Sequence, residues 1–422
     1  MPRLFPRATD HRPAAPRTAI PRDVWVLVAA AFAIAIGFGL VAPVLPQFAA
    51  SFGVGATAAS VIVSAFALTR LVLAPSAGGL VNRLGERPVY VIGVLTVAVF
   101  TGACAFAGSY WQLLLFRGLA GIGSTMFTIS ASGLIVRLAP PEARGRVSGL
   151  YASSFLLGNI AGPLVGGLLA GLGLRVPFLV YAGTLVVAAS IVGIMLGRGR
   201  TAEVRTALPP LRLPQALSVT PYRAALVSNF ANGWATFGIR MALVPLFAAA
   251  VLHAAPAVAG LALALFALGT AGALTFSGRL VDTWGRRPLA LAGLGIAAVG
   301  TALMGVSGSD GVLFLLSVVA GFGSGLLSPA LQATVADVIG RERSGGAPLA
   351  VFQMVSDVGS IVGPLLAGLL ADSVGYVWAF AASGTCLLLA MPAWTGRRNR
   401  SSARKADPSR MLENEDGREP HG

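Results

Sequence analysis

The sequence predicts an all-α membrane protein built from twelve transmembrane helices in two six-helix repeats. Three observations predict it. Hydrophobic residues make up 55% of the chain and charged residues only 11%, with a mean hydropathy of +0.78, a balance outside that of soluble globular domains. Apolar runs recur along the chain, each able to cross a bilayer as a helix of about 20 residues. Finally, the stretch 78–88, Gly-Gly-Leu-Val-Asn-Arg-Leu-Gly-Glu-Arg-Pro, returns 200 residues later as Gly-Arg-Leu-Val-Asp-Thr-Trp-Gly-Arg-Arg-Pro at 278–288. Each copy joins two apolar runs, so a polytopic unit is duplicated in tandem.

The N-terminal tail, 1–23, carries Arg3, Arg7, Arg12, Arg17 and Arg22 ahead of the first run, 24–48. This mimics a signal peptide, but the run is too long for a cleaved segment and has a counterpart at Leu243 to Ala248. It therefore reads as the first transmembrane helix. Runs 56–80 and 89–107 flank the first hairpin, where Gly78 and Gly85 permit a tight turn and Arg83 and Arg87 hold the loop on the cytoplasmic side. Runs 111–136, 147–172 and 176–196 complete an N-terminal bundle, 24–196. The segment 197–221, with Arg198, Arg200, Arg205, Pro209 and Pro210, reads as a cytoplasmic linker.

Runs 222–251, 257–276, 289–306, 311–335, 347–370 and 376–394 form a C-terminal bundle, 222–395, and include the second hairpin with Asp282, Gly285, Arg286 and Arg287. Asp282 is close enough in sequence to those arginines for a charge-assisted latch. The tail 396–422 is charged, lacks apolar periodicity and is expected to be disordered. The later parts of the repeats also match. Ala-Gly-Ile-Gly-Ser at 120–124 answers Ala-Gly-Phe-Gly-Ser at 320–324, and 158–167 answers 359–368. Both repeats run in one direction, so an axis along the membrane normal relates the halves.

A net charge of +15 could suggest a nucleic-acid partner, but 27 of the 31 basic residues fall in short loops, linker and tails on one side. Arg175 falls on the other side, and Arg70, Arg117 and Arg240 lie inside runs. The asymmetry places both termini in the cytoplasm and argues against nucleic acid. The two cysteines, Cys104 and Cys386, sit apart in apolar runs, and the three histidines lie in tails or loops. No metal site or cofactor motif is expected, and no phosphate-binding loop supports ATP-driven pumping.

Polar residues inside the runs define the candidate site. Arg117, Ser124 and Thr128 share a face of the fourth run with Gly121. Asn229, Asn232, Thr236 and Arg240 share a face of the seventh, and Ser317, Ser324, Ser328 and Gln332 follow a stripe on the tenth. Such stripes line a cavity or serve as helix–helix glue. Phe38, Trp234 and Phe237 could add apolar walls or simply pack. Arg117 lies about two turns inside its run, deep enough that it should face a cavity or a partner rather than snorkel. Asp357 and Arg70 fall near the centres of the eleventh and second runs, where an unpaired charge is costly, so the two are expected to pair. The fifth run carries Gly158, Gly162, Pro163, Gly166 and Gly167, small residues that let another helix approach beside a proline bend.

Together these residues resemble the major facilitator superfamily over the whole chain. The hairpins are similar to that family's motif A, Arg117-Gly118 to motif B, and 158–167 to motif C, which is associated with antiporters. Pro43-Val44-Leu45-Pro46 resembles the PxxP of the twelve-helix drug:proton antiporter branch. The resemblance implies that runs 1, 4, 7 and 10 line a central cavity and that runs 2 and 11 pack across the interface between halves. Two positions depart from the pattern: Asn82 replaces the acidic residue of the first motif A, and the first run has no acidic residue, which argues against cationic drugs as main cargo.

The resemblance implies a secondary active transporter in the plasma (inner) membrane, not an enzyme, working by alternating access as a monomer. It would export small organic molecules or drugs, driven by the proton gradient and needing no cofactor. Uptake of a small metabolite by proton symport is the alternative. An embedded enzyme or sensor would need a nucleophile–base pair, a metal cluster or a sensing domain, and none is visible in the sequence.

Overall fold

The computed structural model describes residues 20–140, 143–196, 209, 211–340, 343 and 346–395. Residues 1–19 of the N-terminal tail, the tail 396–422 and most of the 197–221 linker lie outside these residues, as do the side chains of Asn82 and Phe237. The described residues hold twelve helices long and apolar enough to cross a membrane.

In the N-terminal half, α1 spans Arg22–Val41 and resumes as Leu45–Ala50 after a break at Pro43, whose missing N–H interrupts the helical ladder. It is followed by α2 (Ala56–Leu84), α3 (Glu86–Ala105), α4 (Tyr110–Leu138), α5 (Arg144–Leu169) and α6 (Val176–Met195). A short helix, Leu213–Leu217, precedes the second half.

There α7 runs Thr220–Gly233, continues as a π-helical stretch Trp234–Leu243, and returns to α-geometry over Val244–Ala250. Then come α8 (Pro256–Thr283), α9 (Arg286–Met304), α10 (Asp310–Ile339), α11 (Gly346–Ser373) and α12 (Tyr376–Leu389).

The repeat is visible in local chemistry. Ser109 and Ser309 cap α4 and α10, each accepting from a backbone N–H three residues on at 3.4 Å. The hairpins α2–α3 and α8–α9 both turn on a glycine with positive φ, Gly85 at 85° and Gly285 at 92°. A side chain there would meet the left-handed backbone penalty.

Within the N-terminal half, α1 packs on α5 and α6, and α4 on α2 and α3. In the C-terminal half, α11 packs on α7, and α10 on α8 and α9. The halves meet along two seams, α2 with α11 and α5 with α8. Large aromatic side chains such as Tyr90, Phe178, Phe247 and Phe380 are fully buried, whereas Val99, Leu168 and Ile194 stand exposed on the outer surface, as lipid-facing residues do.

On the face opposite the hairpins, Asp372 at the end of α11 binds the start of α2. The N–H groups of Ala56 and Thr57 donate to its two carboxylate oxygens, both at 2.8 Å, and the Thr57 hydroxyl donates at 2.6 Å. Gln47 Nε2 donates to the Pro245 carbonyl at 3.4 Å on the same side. Nearer the middle, Ser64 donates to the Ile361 carbonyl at 2.8 Å. The halves are thus fastened together on the face away from the hairpins.

Candidate functional site

A cavity of about 40 Å³ lies between the halves. The α1 residues Phe38, Ala42 and Leu45, together with Val63, Phe66 and Arg70 of α2, form one side. Arg117 of α4, Met241 of α7, and Asp357 and Ser360 of α11 close it. Arg117 is 6% exposed, and its guanidinium carbon lies 4.1 Å from the centre of the Phe66 ring. Among the described residues it makes no hydrogen bond or ion pair, and its Nε is buried without a partner. The ring face supplies its attraction to the cation.

The structure brings Arg70 and Asp357 to this one cavity, both half-buried. They do not close to an ion pair here. Asp357 Oδ1 instead accepts from Gln353 Nε2 at 3.4 Å, one turn back on α11.

A second cavity, of about 10 Å³, lies within the C-terminal half. Arg240, Phe266, Thr301 and Ser317 line it, and the Arg240 guanidinium carbon sits 4.9 Å from the centre of the Phe266 ring. Phe66 and Phe266 occupy the same place in the repeat, each opening a Phe-Ala-Leu triplet. That repeated triplet was the sequence signal for both aromatic platforms.

The polar stripes divide. Arg117 faces the central cavity, while Arg240 and Ser317 face the second. Ser124 and Ser324 are buried, and their carbonyls accept from Thr128 and Ser328 at 2.8 and 3.0 Å. Asn229 donates to the Phe352 carbonyl at 2.7 Å and so ties α7 to α11 as helix–helix glue. Thr236 donates to Asn232 Oδ1 at 3.4 Å, and Gln332 is exposed. Phe38 is a cavity wall, whereas the Trp234 indole donates to Ser383 at 2.9 Å and packs.

The hairpins are held by contacts within their own halves. Arg87 donates to the Gly193 carbonyl of α6, and Glu86 pairs with Arg137 of α4 at 2.7 Å. Arg286 pairs with Asp337 of α10 at 2.9 Å rather than with Asp282, which is exposed, as are Arg83 and Arg287. Positions 86 and 286 are repeat equivalents, and so are 137 and 337. The same ion pair is therefore made twice with its charges exchanged.

No three His, Cys, Asp or Glu residues gather as a metal site among the described residues. Duplicated bundles around a cavity with embedded charges have a counterpart in known sequences. The sequence model of the Major Facilitator Superfamily matches residues 27–229 and again 225–415. The chain belongs to that superfamily. It is a multi-pass membrane transporter of small molecules, and not an enzyme.

Superfamily relatives include the quinolone resistance protein NorA of Staphylococcus aureus, 27% identical over 361 residues, covering 83% of this chain and 90% of the relative. The class C tetracycline resistance protein of Escherichia coli is 28% identical over 372 residues, covering 85% and 93%. Among solved structures, a bacterial homologue of the human lysosomal transporter Spinster, inward-facing and unoccupied, matches with a TM-score of 0.75 at 16% identity. That match covers 88% of this chain and 95% of the other. At that identity it speaks for the fold alone.

The glycines of 158–167 occupy the tightest contacts of α5. A Cβ on Gly158 would lie 2.4 Å from the Ala35 Cβ, one on Gly162 2.5 Å from the Ile36 carbonyl oxygen, and one on Gly166 2.2 Å from the Leu40 carbonyl oxygen. These glycines let the backbones of α5 and α1 touch. Gly167 faces the other half, where its Cβ would lie 2.9 Å from the Ala257 Cα of α8. The buried ring of Pro163 sits in the same contact, beside Gly39. By contrast, Gly78 has open space around it.

Glu86, Arg137, Asp337 and Asp372 were missed in the sequence reading. For the first three, the complementary change of charge at equivalent repeat positions was the available signal. Asp372 has none, because its partner lies 316 residues away.

Proposed function

We propose that the chain is a proton-driven exporter of small organic molecules that works by alternating access. The observation that carries this reading is the cavity between the halves, where Arg117, Arg70 and a carboxylate, Asp357, share one small enclosure. A carboxylate among cations in a low-dielectric seam can exchange a proton for a contact, which is the chemistry that coupling requires. Two arginines against one carboxylate leave net positive charge, so the cargo is neutral, zwitterionic or anionic. Phe38, Phe66 and Val63 supply apolar walls for an amphiphilic body. The names of the relatives make quinolones and tetracyclines the first compounds to try.

In this reading the hairpin face is cytoplasmic, because 27 of the 31 basic residues gather there, and the protein works as a monomer in the plasma membrane with both termini inside. The Asp372 contacts that fasten the face away from the hairpins support a state closed on the outer side.

The test is transport in vesicles holding the purified protein, with an imposed pH gradient and labelled candidate compounds in competition. Export predicts that substrate moves against its gradient opposite to the proton flow, and that Arg117→Ala abolishes movement while insertion and yield stay near normal. Movement of substrate in the same direction as protons would establish symport instead. Full activity of Arg117→Ala would remove Arg117 from the mechanism.

A further inference from the structure

We propose that the second cavity binds a monoanionic group between the Arg240 guanidinium and the Thr301 hydroxyl. A cation in the middle of a membrane helix needs a negative counterpart or a route to water. In the central cavity between the halves that counterpart is Asp357 of α11, which lines the same space as Arg117 and Arg70. The second cavity has no carboxylate in its lining. Among the described residues Arg240 makes no hydrogen bond or ion pair, and its Nε is buried without a partner. The Phe266 ring covers one face of the guanidinium and leaves its edge donors unused.

A second unused donor lines the same space. Thr301 is 3% exposed and lines the cavity from inside α9, and its hydroxyl has no hydrogen-bond partner among the described residues. Ser317 stands where the repeat would place a second Arg117, but its hydroxyl hydrogen is spent on the Leu313 carbonyl at 2.7 Å. Two free donors, one charged, therefore converge in an enclosure otherwise walled by apolar side chains such as Leu263 and Met304.

Size and charge narrow the occupant. A cavity of about 10 Å³ holds one water-sized body. Water would satisfy the hydroxyl and leave the cation uncompensated. One guanidinium balances one negative charge, so the occupant is a monoanion of single-atom size or a carboxylate tip reaching in. The first source is a free halide and the second is an acidic group on the cargo. The carboxylate source rests on the export reading above, and the halide source does not.

The experiment uses the full chain purified in detergent, with no transport step, so its outcome is independent of that reading. Thermal unfolding is followed as chloride, or separately acetate, replaces sulfate, a dianion too large for a one-water space, at constant ionic strength. A saturable rise in melting temperature is expected with one of the two. Chloride alone identifies the free halide, and acetate alone identifies the cargo's carboxylate. Arg240→Gln should abolish the rise. Thr301→Val, close in shape, should weaken half-saturation by roughly tenfold, the worth of one hydrogen bond to a charged group. Absence of a saturable rise with both anions overturns the proposal. So does an unchanged response in Arg240→Gln or, should that variant fail to fold, unchanged half-saturation in Thr301→Val.

Discussion

The two seams between the halves are equivalent in the repeat and are made of different materials. Where α5 meets α8, backbone lies against backbone: a Cβ on Gly260 would sit 2.3 Å from the Pro163 carbonyl oxygen. Where α2 meets α11, Gly368 makes a similar close approach to Ala56 and Thr57, but the contact also carries polar groups, from Asp372 on Ala56 and Thr57, through Ser64 on Ile361, to Arg70 and Asp357 in the cavity. A close-packed seam tolerates little change in spacing. A seam of hydrogen bonds and charges can break and reform, and protons can bias it. The difference suits a molecule that pivots on one seam and switches at the other.

The largest effect should come from the charges of the polar seam. Arg70→Leu or Asp357→Leu leaves the other charge in a low-dielectric site and should each cost about 3 kcal/mol in detergent unfolding. The double variant should recover much of that loss, because both charges are then gone. Strictly additive losses would show that the two do not communicate, and the contrast between the seams would shrink.

At the dry seam, Gly260→Val should cost about 1–3 kcal/mol by overpacking, since the obstructing atoms are backbone and cannot turn aside. Ser64→Ala, which loses one hydrogen bond at the polar seam, should cost about 1 kcal/mol. A larger loss for Ser64→Ala in the same unfolding assay would reverse the assignment of tight and yielding seams.

Asp372→Ala removes a cap that serves two backbone donors across the interface. It should cost about 0.5–2 kcal/mol and shift the population towards opening on the face away from the hairpins. Distance measurements between spin labels at the ends of α2 and α11 would register the shift. An unchanged distribution would reduce Asp372 to a local cap.

The smallest effect concerns the hairpins, where the halves carry one ion pair with opposite polarity. Glu86→Arg alone places like charges together. Adding Arg137→Asp recreates the Arg286–Asp337 arrangement and should restore stability to within about 0.5 kcal/mol. Failure of the double exchange would show that polarity, and not merely pairing, matters in the first hairpin.

The spans, their number, the duplicated hairpins and the arginines inside the spans were legible in the sequence, because each depends on local composition or on similarity at a fixed offset. Hydropathy determines which residues cross lipid, and a repeated turn needs its glycines wherever it occurs. The glycines of 158–167 also announced close packing, since only glycine permits such an approach. What the tertiary structure decided is partner choice. Asn229 reads as a cavity residue from its stripe, but α11 happens to present a carbonyl to it. Arg286 has Asp282 four residues away and takes Asp337 instead, because the start of α9 lies beside the end of α10. Arg117 and Arg240 come from different helices, α4 and α7, yet reach equivalent phenylalanines. Hydrogen bonds and ion pairs act over a few ångströms in space, and a linear pattern records which groups need partners without recording which partners the fold brings within reach.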